Sequence, residues 1–304
     1  MSDVPITAPS GYLWLRFKRS PLAISAAATT AVIVFGALCA PLIASQNPFD
    51  PAALDLANGL FPPAWLAGGD ARFVLGSDDQ GRDMLSALLY GSRISLLVGV
   101  ASVLFAAVLG IAVGLVAGYA GGWIDTLAMR LADVQLTIPA ILIALMVDGL
   151  ARATLPMDVH DAVAIYVLIF SIGIADWPQY ARIVRAATAV QKTLGYVSAA
   201  RVMGVPAPVI VLKHILPNVL TSVMVLSTLG LALAIISEAT LSFLGVGMPP
   251  TAPSLGTLIR IGNNFLFSGE WWITLFPSLT LVILALAVNM LGDWLRDALN
   301  PKLK

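Results

Sequence analysis

Two long stretches of this chain, 21–44 and 94–118, contain no charged residue. Four more, roughly 134–151, 162–177, 218–246 and 273–293, each hold one acid towards one end: Asp148, Asp176, Glu238 and Asp293. A bilayer core about 30 Å thick needs about 20 apolar residues per crossing helix. The pattern therefore predicts an all-α, polytopic membrane protein with six transmembrane helices. Composition agrees. Of 304 residues, 59% are hydrophobic and 11% are charged, whereas soluble domains carry about 25% charged residues. Formal net charge is zero, so nothing points to nucleic acid as a partner.

The N-terminus is not read as a cleaved signal. Arg16, Lys18 and Arg19 precede the first apolar run, but that run exceeds the h-region of about 7–15 residues. Gly36-Ala-Leu-Cys39 has Gly where a lipoprotein box needs a bulky apolar residue. Cys39, the single cysteine, is expected to be an apolar thiol within the first span.

Basic residues set the expected orientation. Arg16, Lys18 and Arg19 place residues 1–20 in the cytoplasm, and Arg296, Lys302 and Lys304 place the C-terminus on the same side. The loop 178–217 carries Arg182, Arg185, Lys192, Arg201 and Lys213 and no acid, so it too is expected inside. The outer loop 45–93 is rich in Pro, Gly and Asp and is expected to be irregular and to lie on the outer surface.

Gly76-Ser-Asp-Asp-Gln-Gly81-Arg82-Asp83 has the glycine spacing of a phosphate-binding loop, but Arg82 and Asp83 stand where Lys and Ser/Thr are required. Asp78, Asp79 and Asp83 would also repel phosphate. No catalytic set or metal motif appears, so no catalytic or metal-ligating residue is assigned. His160 and His214 fall on opposite sides of the membrane, and Asp176 and Asp293 both read as acids near the inner ends of their spans.

Three features carry the functional reading. Gly110, Gly114 and Gly118 recur every fourth residue in the second span. They make a groove for close helix approach, either within the chain or against another subunit. Glu238 falls near the outer end of the fifth span, as a pathway or gating carboxylate or as a structural, hydrogen-bonded acid. In the inner loop, Ser198 to Met203 reads as a short helix of mostly small or helix-favouring residues. Gly204 terminates it, and Pro206 and Pro208 prevent its continuation. Ala199 and Ala200 leave room for a partner surface.

At these residues the chain resembles a known family. Ala199-Ala200, Gly204 after three residues and Leu216-Pro217 at the far end are similar to the cytoplasmic signature of ABC importer permeases, Glu-Ala-Ala…Gly…Ile-x-Leu-Pro. Ser198 stands in the Glu position and His214 in the Ile position, and the His-x-Leu-Pro ending resembles the peptide/nickel branch. Gly76–Asp83 with Gly91-Ser-Arg-Ile-Ser-Leu96, Glu238–Gly245 with Pro249–Pro253, and Leu291–Pro301 also resemble that branch, in particular the C-type subunit of dipeptide and oligopeptide permeases.

The resemblance implies a permease domain over 21–304 in the bacterial cytoplasmic (inner) membrane. It implies a second, related permease, two cytoplasmic ABC ATPase subunits and an external substrate-binding protein as partners, in contact with membrane lipid. ATP and Mg would be bound by the ATPases, with no cofactor on this chain. The coupling loop would comprise Ser198, Ala199, Ala200, Arg201, Gly204, His214, Leu216 and Pro217, with Ser198 unable to make the usual Glu contact but able to cap the helix. Dipeptides or oligopeptides are the implied cargo; nickel chelates, glutathione or another small solute are the alternatives. An ion-coupled carrier would show buried ionisable clusters and inverted repeats, and neither is visible.

Overall fold

A computed structural model describes residues 10–299. Lys302, Lys304 and the Asn300-Pro301 end of the C-terminal motif lie outside the described residues. Helices dominate, and the described residues form no strand, only an isolated bridge between Ser77 and Asp83. Ten helices organise the chain: α1 (Ser10–Lys18), α2 (Pro21–Leu38), α3 (Met84–Ala120), α4 (Gly122–Leu136), α5 (Ala140–Thr154), α6 (Met157–Gln191), α7 (Gly195–Val202), α8 (Leu216–Phe243), α9 (Leu255–Asn263) and α10 (Trp272–Leu299). Short turns at 40–43, 51–53, 56–58, 207–209, 210–215 and 266–268 connect them.

Among the described residues five helical stretches are long and apolar enough to cross a membrane, and α4 with α5, bent by 89° at their break, brings the number to six if the pair is one span. Helices suit this setting because lipid offers no hydrogen-bond partners to the backbone. The described chain ends meet: Phe17 rests edge-on against Trp294 with ring centroids 5.2 Å apart, and Arg16 reaches the Asp297 carbonyl. They share one end of the bundle, as an even number of crossings requires.

Several expected boundaries are corrected. The second span starts at Met84, not near 94. Asp83 caps it by accepting from the Ser86 amide at 2.9 Å and the Ser86 hydroxyl at 2.6 Å. Arg93 bounded the charge-free run, and Ser86 and Ser92, between the two starts, face the protein interior. The third span is not one helix over 134–151. Pro139 disfavours helical backbone at the residue before it, and the chain turns there. The fourth span does not close at Pro178, since α6 runs through the proline to Gln191. The loop 178–217 is therefore mostly helical, and its last part runs continuously into α8. The fifth span is Leu216–Phe243 and the sixth Trp272–Leu299.

The segment 45–93, expected outside, is also more than a surface loop. The Asp78 carboxylate accepts from the Gln80 and Arg82 amides, both at 2.9 Å, and closes a turn in which Gly81 has φ +75°. Arg82 donates to the Pro250 carbonyl at 2.7 Å, and Trp272 Nε1 donates to the Ser77 carbonyl at 3.0 Å. Ser77, Asp78, Arg82 and Asp83 are all buried. Burial pushes the Asp78 carboxyl up to about 6, against the opposing pull of the Arg82 amide and charge.

α3 and α6 form the most extensive helix pair. A Cβ at Gly110 would meet Tyr180, one at Gly114 would lie 2.7 Å from Val184 Cβ, and one at Gly118 would lie 2.7 Å from Thr188 Cβ. The glycine groove is filled by α6 of the same chain.

Candidate coupling surface and intramembrane acids

The inner signature folds into one compact corner at the end of the bundle shared by the chain ends. α7 begins at Gly195, so Ser198 sits inside the helix and does not cap it; the cap position is Leu194, which makes no side-chain cap. Gly204 ends the helix at φ +76°, with the Val205 amide donating back to the Ala200 carbonyl at 3.0 Å. The apolar face of α7, Val197 and Ala200, is buried with Ile210 and Ile215. Ala200 is thus a packing residue, and of the two alanines expected to let a partner surface approach only Ala199 is exposed. Ser198, Ala199 and Arg201 remain exposed.

The next two positions are more informative than the alanines. Val202 is 90% exposed and Met203 74% exposed, an apolar pair projecting from the end of the helix. The motif spacing does not mark them. Their signal was the burial of Val197 and Ala200, which turns Ala199 and Val202 outward by helical periodicity, while Met203 follows at the C-cap, past the last helical residue.

The corner is tied firmly to the spans. Tyr196 donates to Gln191 at the end of α6 at 2.5 Å and to the His214 carbonyl at 3.3 Å, and Asn218 donates to the same carbonyl at 2.7 Å. Arg201 and Lys192 lie over the Tyr119 ring at the end of α3, 5.3 and 5.6 Å from its centroid. His214 lies in a π-helical turn, 210–215, that leads into Leu216-Pro217 and α8. Displacing α7 must therefore strain the ends of α3, α6 and α8 together.

The intramembrane acids sort by their partners. The Glu238 carboxylate is fully buried and accepts from Ser95 of α3 and Ser242 of its own helix, both at 2.7 Å. Ser95 also receives the Leu255 amide at the start of α9 at 3.3 Å. Glu238 thereby joins α3 and α8 at the edge of the α9 turn. Asp148 contacts His160 Nε2 at 3.1 Å and accepts from Arg152 at 2.6 Å.

Asp176 differs from both. It lies inside a continuous helix, because α6 runs on through Pro178 to Gln191. It is half-buried and makes no hydrogen bond or ion pair among the described residues. An ionised group at bilayer mid-depth costs about 2.5–3.5 kcal/mol on insertion scales, so its placement needs a reason.

Comparison with known proteins identifies the family. Residues 110–304 match the profile described as "Binding-protein-dependent transport system inner membrane component", and residues 9–63 match the "N-terminal TM domain of oligopeptide transport permease C". The chain is 38% identical to the dipeptide transport system permease protein DppC of Haemophilus influenzae, over 100% of both chains. It is 36% identical to the glutathione transport system permease protein GsiD of Pectobacterium atrosepticum, over 99% of this chain and 94% of that one. In fold it resembles a chain from the inward-facing MetNI methionine ABC transporter, with TM-score 0.56 and 22% identity over 71% of this chain and 98% of that one. The chain belongs to the family of inner-membrane components of binding-protein-dependent transport systems, as a multi-pass permease subunit.

Proposed function

We propose that this permease subunit serves an ATP-driven importer of dipeptides or oligopeptides, in which α7 is the contact with an ATPase. The observation that carries this reading is the exposed apolar pair Val202 and Met203 on a helix clamped to three spans. Such a pair offers an apolar contact to a partner surface. An ATPase groove on the cytoplasmic side would cover it and transmit closure to α3, α6 and α8 as alternating access. The chain ends and α7 are then cytoplasmic, and the segment 45–83 faces outward towards an external binding protein. A second, related permease completes the pathway, two ATPases bind ATP and Mg, and this chain carries no cofactor or catalytic residue of its own.

Peptide cargo is supported by the dipeptide permease relative from H. influenzae and the di/tripeptide permease relative from Pseudomonas aeruginosa. The GsiD relative, similar in identity, supports glutathione as a second reading, and glutathione is itself a peptide.

Met203→Glu in the reconstituted complex tests the contact. Stimulation of ATP hydrolysis by peptide-loaded binding protein is expected to fall at least tenfold while the complex still assembles. Coupling equal to wild type would sink the reading. Dipeptide and glutathione uptake by the wild-type complex then decides between cargoes.

A further inference from the structure

Asp176 lines a cavity of about 20 Å³ together with Ala140, Ala144, Ile172, Ser237 and Leu241. The cavity exists because of the 89° break between α4 and α5, which brings the start of α5 against α6 and α8. Its lining holds one carboxylate and one hydroxyl, and the rest of it is apolar.

The nearby cations are already engaged elsewhere. Arg182 pairs with Asp133 at 2.8 Å, and Arg185 pairs with Asp125. The acids at other depths are held by Ser95 and Ser242 or by Arg152 and His160. Asp176 alone among these buried or half-buried acids of the spans is left with its charge unanswered.

The surface around the cavity is apolar and exposed, with Ile141 42% and Ile236 45% exposed. A carboxylate opening onto lipid would be strongly disfavoured. Ionisable residues within membrane segments face protein or a water-filled cavity, and they mark substrate or ion routes. A position of this face of α5, α6 and α8 towards the pathway shared with the proposed partner permease would keep the carboxylate away from lipid.

We propose that the Asp176 carboxylate and the Ser237 hydroxyl form a cation subsite in the translocation pathway that takes the protonated ammonium group of a passing substrate. The cavity volume suits it. A space of about 10–15 Å³ accommodates one water molecule, and an ammonium group is of similar size. The carboxylate supplies the charge, Ser237 accepts one N–H, and the apolar wall leaves the remainder of the substrate outside in the pathway. A single counter-charge of this kind lets a substrate enter and leave without tight binding. The assignment of the ammonium to a peptide N-terminus or lysine rests on the importer reading above.

The test uses the assembled complex in liposomes with Cys39→Ser and Ser237→Cys on this chain. Reaction rates of the new thiol are measured with an ammonium-bearing and a sulfonate-bearing methanethiosulfonate. The ratio of ammonium to sulfonate rates is expected to fall at least tenfold when Asp176→Asn is added. An unchanged ratio, or a thiol inert to both reagents during ATP turnover, overturns the subsite. Dipeptide uptake by Asp176→Asn is expected to fall at least fivefold at equal complex abundance, with Asp176→Glu retaining most of it. Uptake at the wild-type rate in Asp176→Asn overturns a role in transport. A tenfold fall in the reagent ratio with no dipeptide uptake by wild type supports the cation subsite and removes the peptide reading instead.

Discussion

Gln135 Nε2, at the end of α4, donates to the carbonyl of Ile174 in α6. Ile174 stands four residues before Pro178, so its carbonyl has no backbone N–H to accept. Gln135 also receives Trp177 Nε1 at 2.9 Å. One amide thus repairs the proline gap and pins the broken span to α6 beside Asp176. Gln135→Leu is expected to destabilise the subunit by about 1–3 kcal/mol, since it orphans a buried carbonyl and an indole N–H. Pro178→Ala should recover part of that loss by restoring the backbone donor. Thermal unfolding of the single and double variants in detergent measures it, and equal loss with and without Pro178→Ala would refute the pairing.

Close approach of α3 and α6 predicts a sharp contrast between glycines. Gly114→Leu places a side chain where even a Cβ meets the Ala181 carbonyl and Val184 Cβ, each at 2.7 Å. Overpacking by backbone contact should prevent assembly of the complex. A Cβ added at Gly149 in α5 would meet nothing within 4 Å, so Gly149→Ala should be neutral or stabilising by up to about 1 kcal/mol. Yield of assembled complex and thermal midpoint report both.

Asp78 gives a pH dependence outside the membrane. Its folded-state carboxyl is raised from 3.8 to about 6. The folded protein therefore holds a proton that the unfolded chain releases between those values. Stability from this group is greatest below pH 3.8 and falls as pH rises through about 6. Across that window the change is at most about 3 kcal/mol. Melting temperatures between pH 7.5 and 5.5 should rise more steeply on acidification in wild type than in Asp78→Asn. Parallel profiles would count against the burial effect.

Orientation can be read by thiol labelling of intact cells in a Cys39→Ser background. Thr251→Cys, on an exposed turn after α8, should react with an impermeant reagent from outside. Ser198→Cys should react only after lysis. The reverse pattern would invert the proposed topology.

The helical class and a polytopic chain of five or six candidate spans were legible because lipid demands long apolar runs whatever their tertiary partners. Span ends were less legible. Ser86 and Ser92 look like a loop in composition, yet they face protein inside α3. Pro178 looks like a helix stop, yet a glutamine from another helix supplies what it lacks. In the candidate site, the motif pointed to Ala199 and Ala200, but only packing shows that Ala200 is buried and that Val202 and Met203 project.

The sequence by itself determined that the chain crosses a membrane about six times and carries a short, Gly-terminated helix in its basic loop. Those properties follow from hydropathy, charge and local backbone preference. Tertiary structure alone decided which acids have partners: Glu238 meets Ser95 from 143 positions away, while Asp176 in the neighbouring helix meets none. Partnering depends on which helix faces pack together, and an 89° break and a repaired proline set those faces here.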